Sequence, residues 1–180
     1  MEKGFVIWLT GFYCEGKGLL AKAVEEALLE RGLKVELVNE CMLREGFCEN
    51  MQTTTIDAVS LDKKAAFIAG LLLRNGIVTV VELLSPDKLL RDSMRKQIRD
   101  FIEVYVRCPA DLVGDKVANY EVPEKPEVII DTQTEDAQVG TRKIIKTLEA
   151  LHYVMVVDYN DYSDDEADEI KNRLESLGYL

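Results

Sequence analysis

The residues best equipped for chemistry are Gly11-Phe12-Tyr13-Cys14-Glu15-Gly16-Lys17-Gly18. Their spacing, G-x-x-x-x-G-K, lets backbone N–H groups converge on phosphate oxygens while the lysine neutralises charge. Gly18 stands where a serine or threonine hydroxyl ordinarily faces magnesium, and Glu15 adds a carboxylate inside the loop. The candidate phosphate-binding residues are therefore Gly11, Cys14, Glu15, Gly16, Lys17, Gly18 and Leu19. The bland alternative is a tight strand-to-helix turn with a solvated lysine. Glu82 closes the apolar run Ile77–Glu82, the form of a Walker B carboxylate. It could hold metal through water or act as a base, or it could simply pair with Arg91 or Arg44.

The other reactive side chains are sparse. Cys14, Cys41 and Cys48 follow the first two predicted strands and could share the ligand-binding edge of a parallel sheet. Clustered, they would bind metal or sense redox state; singly, they are small hydrophobes. Together with Cys108 they show no CxxC spacing, and reduced thiols are the expectation. Cys14, at a predicted helix N-terminus, would have a lowered pKa. His152 is the only histidine, so no histidine-based triad or zinc site can be assembled. It is expected to cap a helix, and Trp8 to sit in the core.

Alternating apolar runs and helical stripes must position these groups, the pattern of a parallel sheet wrapped by helices. Strands are expected at Gly4–Thr10, Val35–Val38, Ile77–Leu83, Phe101–Val106 and Val128–Asp131. Helices are expected at Lys17–Arg31, Lys63–Arg74, from Pro86 to about Arg99, and at Glu135–Leu151. Tyr153–Val157 reads as a short edge strand, and Ser163 as the cap of a helix running through Leu177. The fold class is a P-loop α/β three-layer sandwich of about five mainly parallel strands with a C-terminal strand–helix extension. Its domain spans residues 1–152 and the extension 153–180.

Composition narrows the partners. A net charge of −11 argues against nucleic acid. No apolar run reaches the roughly 18–20 residues of a membrane span, and the N-terminal run lacks a signal peptide's cleavage pattern, so a cytoplasmic protein is expected. Much of the charge sits in the tail, where Asp158, Asp161, Asp164, Asp165, Glu166, Asp168, Glu169 and Glu175 face only Lys171 and Arg173. That tail is either a helix packed on its own domain or a docking peptide anchored by Ile170, Leu174 and Leu177.

From about Gly4 to about Leu151 the sequence resembles the adenylylsulfate (APS) kinases, which use ATP to phosphorylate the 3′-hydroxyl of APS and make PAPS. The resemblance rests on Gly4–Gly11 into the loop, Glu30–Glu36, Leu84-Ser85-Pro86 with Arg91-Asp92, Phe101–Val106 with Cys108-Pro109, and Tyr120–Pro123 with Pro126-Glu127-Val128. It implies magnesium with ATP as cofactor, an expectation weakened by Gly18, and a homodimer as an oligomeric state. It also implies Arg44, Phe47, Ser85 and Pro86 as substrate-binding residues.

The departures fall on the chemistry. The family's Asp-Gly-Asp after the second strand, followed by arginine, here reads Asn39-Glu40-Cys41-Met42-Leu43-Arg44. Cys41 replaces the second aspartate, with Glu40 one position away as a stand-in. The family's basic lid segment is missing from the short stretch between Pro109 and Tyr120. The expected function is an APS-kinase-like domain that binds an adenine nucleotide (APS, PAPS, ADP or ATP) through the loop, Lys17 and Arg44. Its kinase chemistry is expected to be impaired, leaving a sensor or partner module in sulfur metabolism. The alternatives are a working kinase using Lys17 with Glu82 or Glu40 as catalytic residues, and a structural module that binds no nucleotide.

Overall fold

A computed structural model describes residues 4–12, 14–47, 55–109, 120–156 and 164–179. Five strands carry the fold: β1 (Val6–Thr10), β2 (Val35–Asn39), β3 (Val78–Glu82), β4 (Phe101–Arg107) and β5 (Val128–Asp131). They pair in parallel in the order β2-β3-β1-β4-β5. The helices are α1 (Glu15–Glu30), α2 (Glu40–Phe47), α3 (Thr55–Arg74), α4 (Lys88–Gln97), α5 (Ala137–Ala150) and α6 (Asp164–Leu177).

Every residue of β1 is buried because both sheet faces are covered. Side chains alternate across a strand, so Ile7 and Leu9 meet Leu20, Val24 and Leu28 of α1 and Ile144 and Leu148 of α5. Val6 and Trp8 point the other way, onto Leu61, Ala65 and Ala69 of α3 and Met94 of α4. Trp8 is fully buried and stacks on Phe101 with ring centroids 5.6 Å apart. The loop leaving β1 opens at the carboxyl edge of the sheet, where strand order reverses and ligand crevices form.

Three regions differ from the sequence-based expectation, the first being α3, which begins at Thr55, eight residues before the expected Lys63. Residues 153–156 form no strand, and Val157 lies outside the described residues. The backbone there is used to close α5: His152 adopts a left-handed φ of 61°, and Tyr153 N donates to Leu148 O at 2.8 Å. The Tyr153 ring then packs on Phe5. α2 was not expected; Asn39 begins it by accepting Met42 N through Oδ1 at 2.9 Å.

α6 packs on its own domain. Ile170 and Leu174 are buried, Leu177 is half-buried, and Lys143 of α5 pairs with Glu169 at 3.1 Å. Arg173 Nε donates to the carbonyls of Pro126 (2.9 Å) and Glu127 (3.1 Å), and the Tyr179 hydroxyl donates to Glu127 Oε1 at 2.6 Å. Two of the three docking anchors are thus used within the chain. Among the described residues, no helix is long and apolar enough to cross a membrane.

Candidate nucleotide site

The site begins where β1 ends. Gly11 has φ 145°, and a Cβ there would stand 2.2 Å from Val106 O of β4, so only glycine lets the chain turn this closely past its neighbour strand. Cys14 follows in extended conformation as the N-cap of α1, with no side-chain capping bond. Tyr13 lies outside the described residues. The turn delivers Lys17 into the protein. Its Nζ donates to Leu83 O (2.7 Å) and Gly11 O (2.9 Å) and stands 3.1 Å from Glu82 Oε1, and the residue has no solvent exposure. Burial pulls its pKa down, a shift only partly opposed by Glu82 and Asp62.

A second buried group lies beside it. Asp62 of α3 accepts Ser85 Oγ–H at Oδ1 (2.6 Å), and Ser85 Oγ accepts Trp8 Nε1–H (2.8 Å). Asp62 Oδ2 is buried with no hydrogen-bond partner among the described residues. Burial pushes the Asp62 carboxyl up to about 7, despite Ser85, Arg91 and Lys17 acting to lower it. Ser85 itself holds a left-handed φ of 46° at the exit of β3.

Tyr120 closes the other side of the loop. Its hydroxyl lies 2.9 Å from Thr10 Oγ1, and its ring packs on Phe12 and Tyr105 with the Arg91 guanidinium 5.5 Å from its centroid. Arg91 Nε donates to Glu103 Oε1 at 3.0 Å, while its other nitrogens bond to the carbonyls of Ser85 and Glu121.

The residues singled out in the sequence therefore have mixed fates. Glu82 pairs with Lys17, whereas Arg91 takes Glu103 and Arg44 takes Glu40 as an i,i+4 pair within α2. The lysine points inward and is not solvated. Gly16 and Gly18 lie in the first turns of α1, where Glu15 and Leu19 are exposed. Ser85 and Pro86 are buried, and Phe47 is exposed at the end of α2. The short lid stretch, residues 110–119, lies outside the described residues.

The thiol expectations are corrected. Cys14 and Cys108 form a disulfide with Cα atoms 6.2 Å apart, because β1 and β4 are adjacent strands and both cysteines follow their carboxyl ends. Cys14 is thus not a titrating thiol and does not join Cys41, which is exposed on α2 beside Glu45; that carboxylate pushes the Cys41 thiol pKa up. Cys48 lies outside the described residues. Among the described residues no group of three His, Cys, Asp or Glu side chains could hold a metal ion. Gly18 brings no hydroxyl, and Glu82 already faces an ammonium, so these side chains do not fit the magnesium that a kinase of this type uses.

Sequence reasoning overlooked Asp62, Thr10 and Tyr120 as members of the site. Asp62 had a readable signal: it lies on the buried stripe of α3 with Ala58, Leu61, Ala65 and Ala69, where an acid needs a reason.

Known proteins share this architecture. The chain is 32% identical over 152 residues to a probable adenylyl-sulfate kinase of Archaeoglobus fulgidus, covering 73% of this chain and 98% of that one. It is 29% identical over 171 residues to a probable bifunctional SAT/APS kinase 2 of Sorangium cellulosum, covering 84% of this chain but only 29% of that longer protein. The APS kinase CysC of Mycobacterium tuberculosis, solved in complex with AMPPNP and APS, superposes with a TM-score of 0.73 at 24% identity, covering 83% and 99% of the two chains. The sequence model of the adenylylsulphate kinase family matches residues 3–117. With 115 of its 180 residues inside that match and the P-loop sheet order around it, this chain belongs to the adenylylsulphate kinase family.

Proposed function

We propose that this protein binds an adenine nucleotide of sulfur metabolism in the Gly11–Gly18 cradle and carries little or no phosphoryl-transfer activity, serving as a sensor or partner module. Family membership and the M. tuberculosis relative solved with AMPPNP and APS support the ligand class. One observation carries the loss of chemistry: Lys17 is wholly buried, ion-paired with Glu82 and bonded to two backbone carbonyls. Phosphoryl transfer is catalysed by positioning and charge stabilisation, and the P-loop lysine and the metal are its main sources. Here the lysine is already engaged by Glu82, Leu83 O and Gly11 O, and the metal-facing hydroxyl is absent at Gly18.

What this chain's residues do perform is binding and enclosure. The N-terminus of α1, which begins at Glu15, presents the positive end of the helix dipole to a phosphate. Tyr120 and Phe12 form an aromatic wall beside it. Calorimetric titration with APS, PAPS and ADP, run beside an assay for PAPS formation from ATP and APS, tests the proposal. Binding without turnover is the expected outcome. Turnover that disappears in Lys17→Ala refutes it in favour of a working kinase, and absence of binding at millimolar ligand refutes it in favour of a structural module.

A further inference from the structure

The Cys14–Cys108 bond fastens the candidate phosphate loop to the sheet, so the oxidation state of two sulfurs becomes a property of the ligand site. Cys14 belongs to the loop, three residues after Gly11 and three before Lys17. Its carbonyl accepts Lys17 N at 3.2 Å, and its side chain makes no capping bond to α1, so what that side chain does is hold the disulfide. Cys108 belongs to the sheet. It follows Arg107, the last residue of β4, whose carbonyl accepts both Thr132 N (3.0 Å) and the Thr132 hydroxyl (3.1 Å) at the exit of β5. One sulfur therefore sits on the turn between β1 and α1, and the other on a strand end that its neighbour holds in place.

The other contacts between the loop and these strand ends are of a weaker kind. Gly11 passes close to Val106 O, Gly16 faces the Thr132 side chain, and the Phe12 ring packs on Tyr120. Such surfaces touch and separate, whereas the disulfide does not yield while it is oxidised. In the oxidised protein the loop and the start of α1 are held at fixed distance from β4, and a phosphate docking there needs no further ordering of the loop. Reduction acts twice in the same direction. It frees the loop from its post, and it returns to the N-cap of α1 a thiol that ionises. A thiolate at that position competes with a phosphate for the positive end of the helix.

We propose that the Cys14–Cys108 pair is a thiol–disulfide switch on the nucleotide site, with the disulfide form binding the ligand and the dithiol form releasing it; this rests on the nucleotide-binding role proposed above. The reductant is a dithiol. One of its thiolates attacks Cys14 Sγ, on the more exposed of the two cysteines, and the Cys108 sulfur leaves as a thiolate that takes up a proton. The second thiol of the reductant then attacks the mixed disulfide, frees the Cys14 thiol and closes the reductant into its own disulfide. A small-molecule disulfide acting as oxidant runs the same exchange backwards.

The test is calorimetric titration of the full chain with ADP, without metal, in the oxidised form, after reduction by dithiothreitol and after reoxidation. The temperature is one at which circular dichroism shows both forms folded. Reduction is expected to raise the Kd for ADP about fivefold or more, and reoxidation to restore it. The double variant Cys14→Ala/Cys108→Ala should bind ADP with one affinity whether or not reductant is present, and the measurement on the natural protein does not depend on that variant folding. Equal affinity of the oxidised and reduced forms overturns the switch and leaves the bond a structural staple. Tighter binding after reduction overturns it as well, as does a bond that opens only when the protein unfolds. A double variant that still responds to reductant overturns it by placing the response on Cys41 or Cys48. If ADP binds but the redox difference is absent, only this inference falls. If APS, PAPS and ADP all fail to bind either folded form, the proposed function falls with it.

Discussion

Breaking the Cys14–Cys108 disulfide should cost this fold about as much as a large core truncation, and the size follows from the loop it closes. The two cysteines are 94 residues apart in sequence. In the chain-entropy account, a cross-link over that separation removes about 16 cal/mol/K from the unfolded ensemble, or about 4.7 kcal/mol at room temperature. A 180-residue chain loses about 2.6 °C of melting temperature per kcal/mol, so the expected drop is roughly 12 °C. The perturbation is made in two ways, by a dithiol reductant and by the double variant Cys14→Ala/Cys108→Ala. Both are read by thermal unfolding followed by circular dichroism. The variant should melt near the reduced natural protein and be insensitive to reductant. Alkylation followed by mass measurement supplies the chemical control: under denaturing, non-reducing conditions no more than two of the four cysteines should be modified, and all four after reduction. Four modified cysteines before reduction would refute the bond. A double variant melting within about 2 °C of the oxidised protein would refute the entropic reasoning, since the cross-link would then restrain nothing that the fold does not restrain already.

Two further perturbations test the buried charges and the altered loop position. Asp62 has a native pKa of about 7 against an ordinary 3.8, so its neutral form favours the folded state at low pH, and that stabilisation is lost as pH rises through about 7. Asp62→Asn lacks this dependence; measured by urea unfolding, its stability relative to the natural protein should rise by about 2 kcal/mol between about pH 5.5 and about pH 8, and an unchanged difference would show that Asp62 does not titrate there. Nothing lies within 4 Å of a Cβ built on Gly18, so Gly18→Thr should fold with its melting temperature unchanged or raised. That variant should make ADP binding magnesium-dependent while the natural protein stays indifferent to magnesium; a natural protein that already responds to the metal would contradict the role assigned to Gly18.

The sheet and its helices were legible because their signals are periodic and local. The apolar run into Gly11, the stripe Leu19, Leu20, Ala23, Ala27 and Leu28 (of which Leu20 and Leu28 are buried and Leu19 is exposed) and the short strand before Asp131 each carry their own evidence. α2 was missed because eight residues give too little periodicity: only Leu43 is buried, and the helix rests on the Asn39 cap and the Glu40–Arg44 pair. The strand expected after His152 was over-assigned, since its apolar run is absorbed by the closure of the preceding helix. The site was legible in its outline and not in its wiring. Motif spacing located Lys17 but could not say which way the ammonium points, because that depends on Glu82, Leu83 and Asp62, which lie 45–66 residues away in sequence. The disulfide was hidden for the same reason, since proximity of Cys14 and Cys108 exists only once β1 and β4 lie side by side.

Gly11 bears on how such a motif should be interpreted in any descendant of this fold. Its missing side chain is occupied, in effect, by the Val106 carbonyl of the next strand, 2.2 Å from where a Cβ would sit. The first letter of the phosphate signature is therefore a joint between two strands before it is part of a ligand site. A lineage that stopped handling nucleotides altogether would still be obliged to keep it, and the signature would outlive the activity as a fossil of the architecture. The informative letters are the ones that the scaffold leaves at liberty, and Gly18, surrounded by open space, is such a letter.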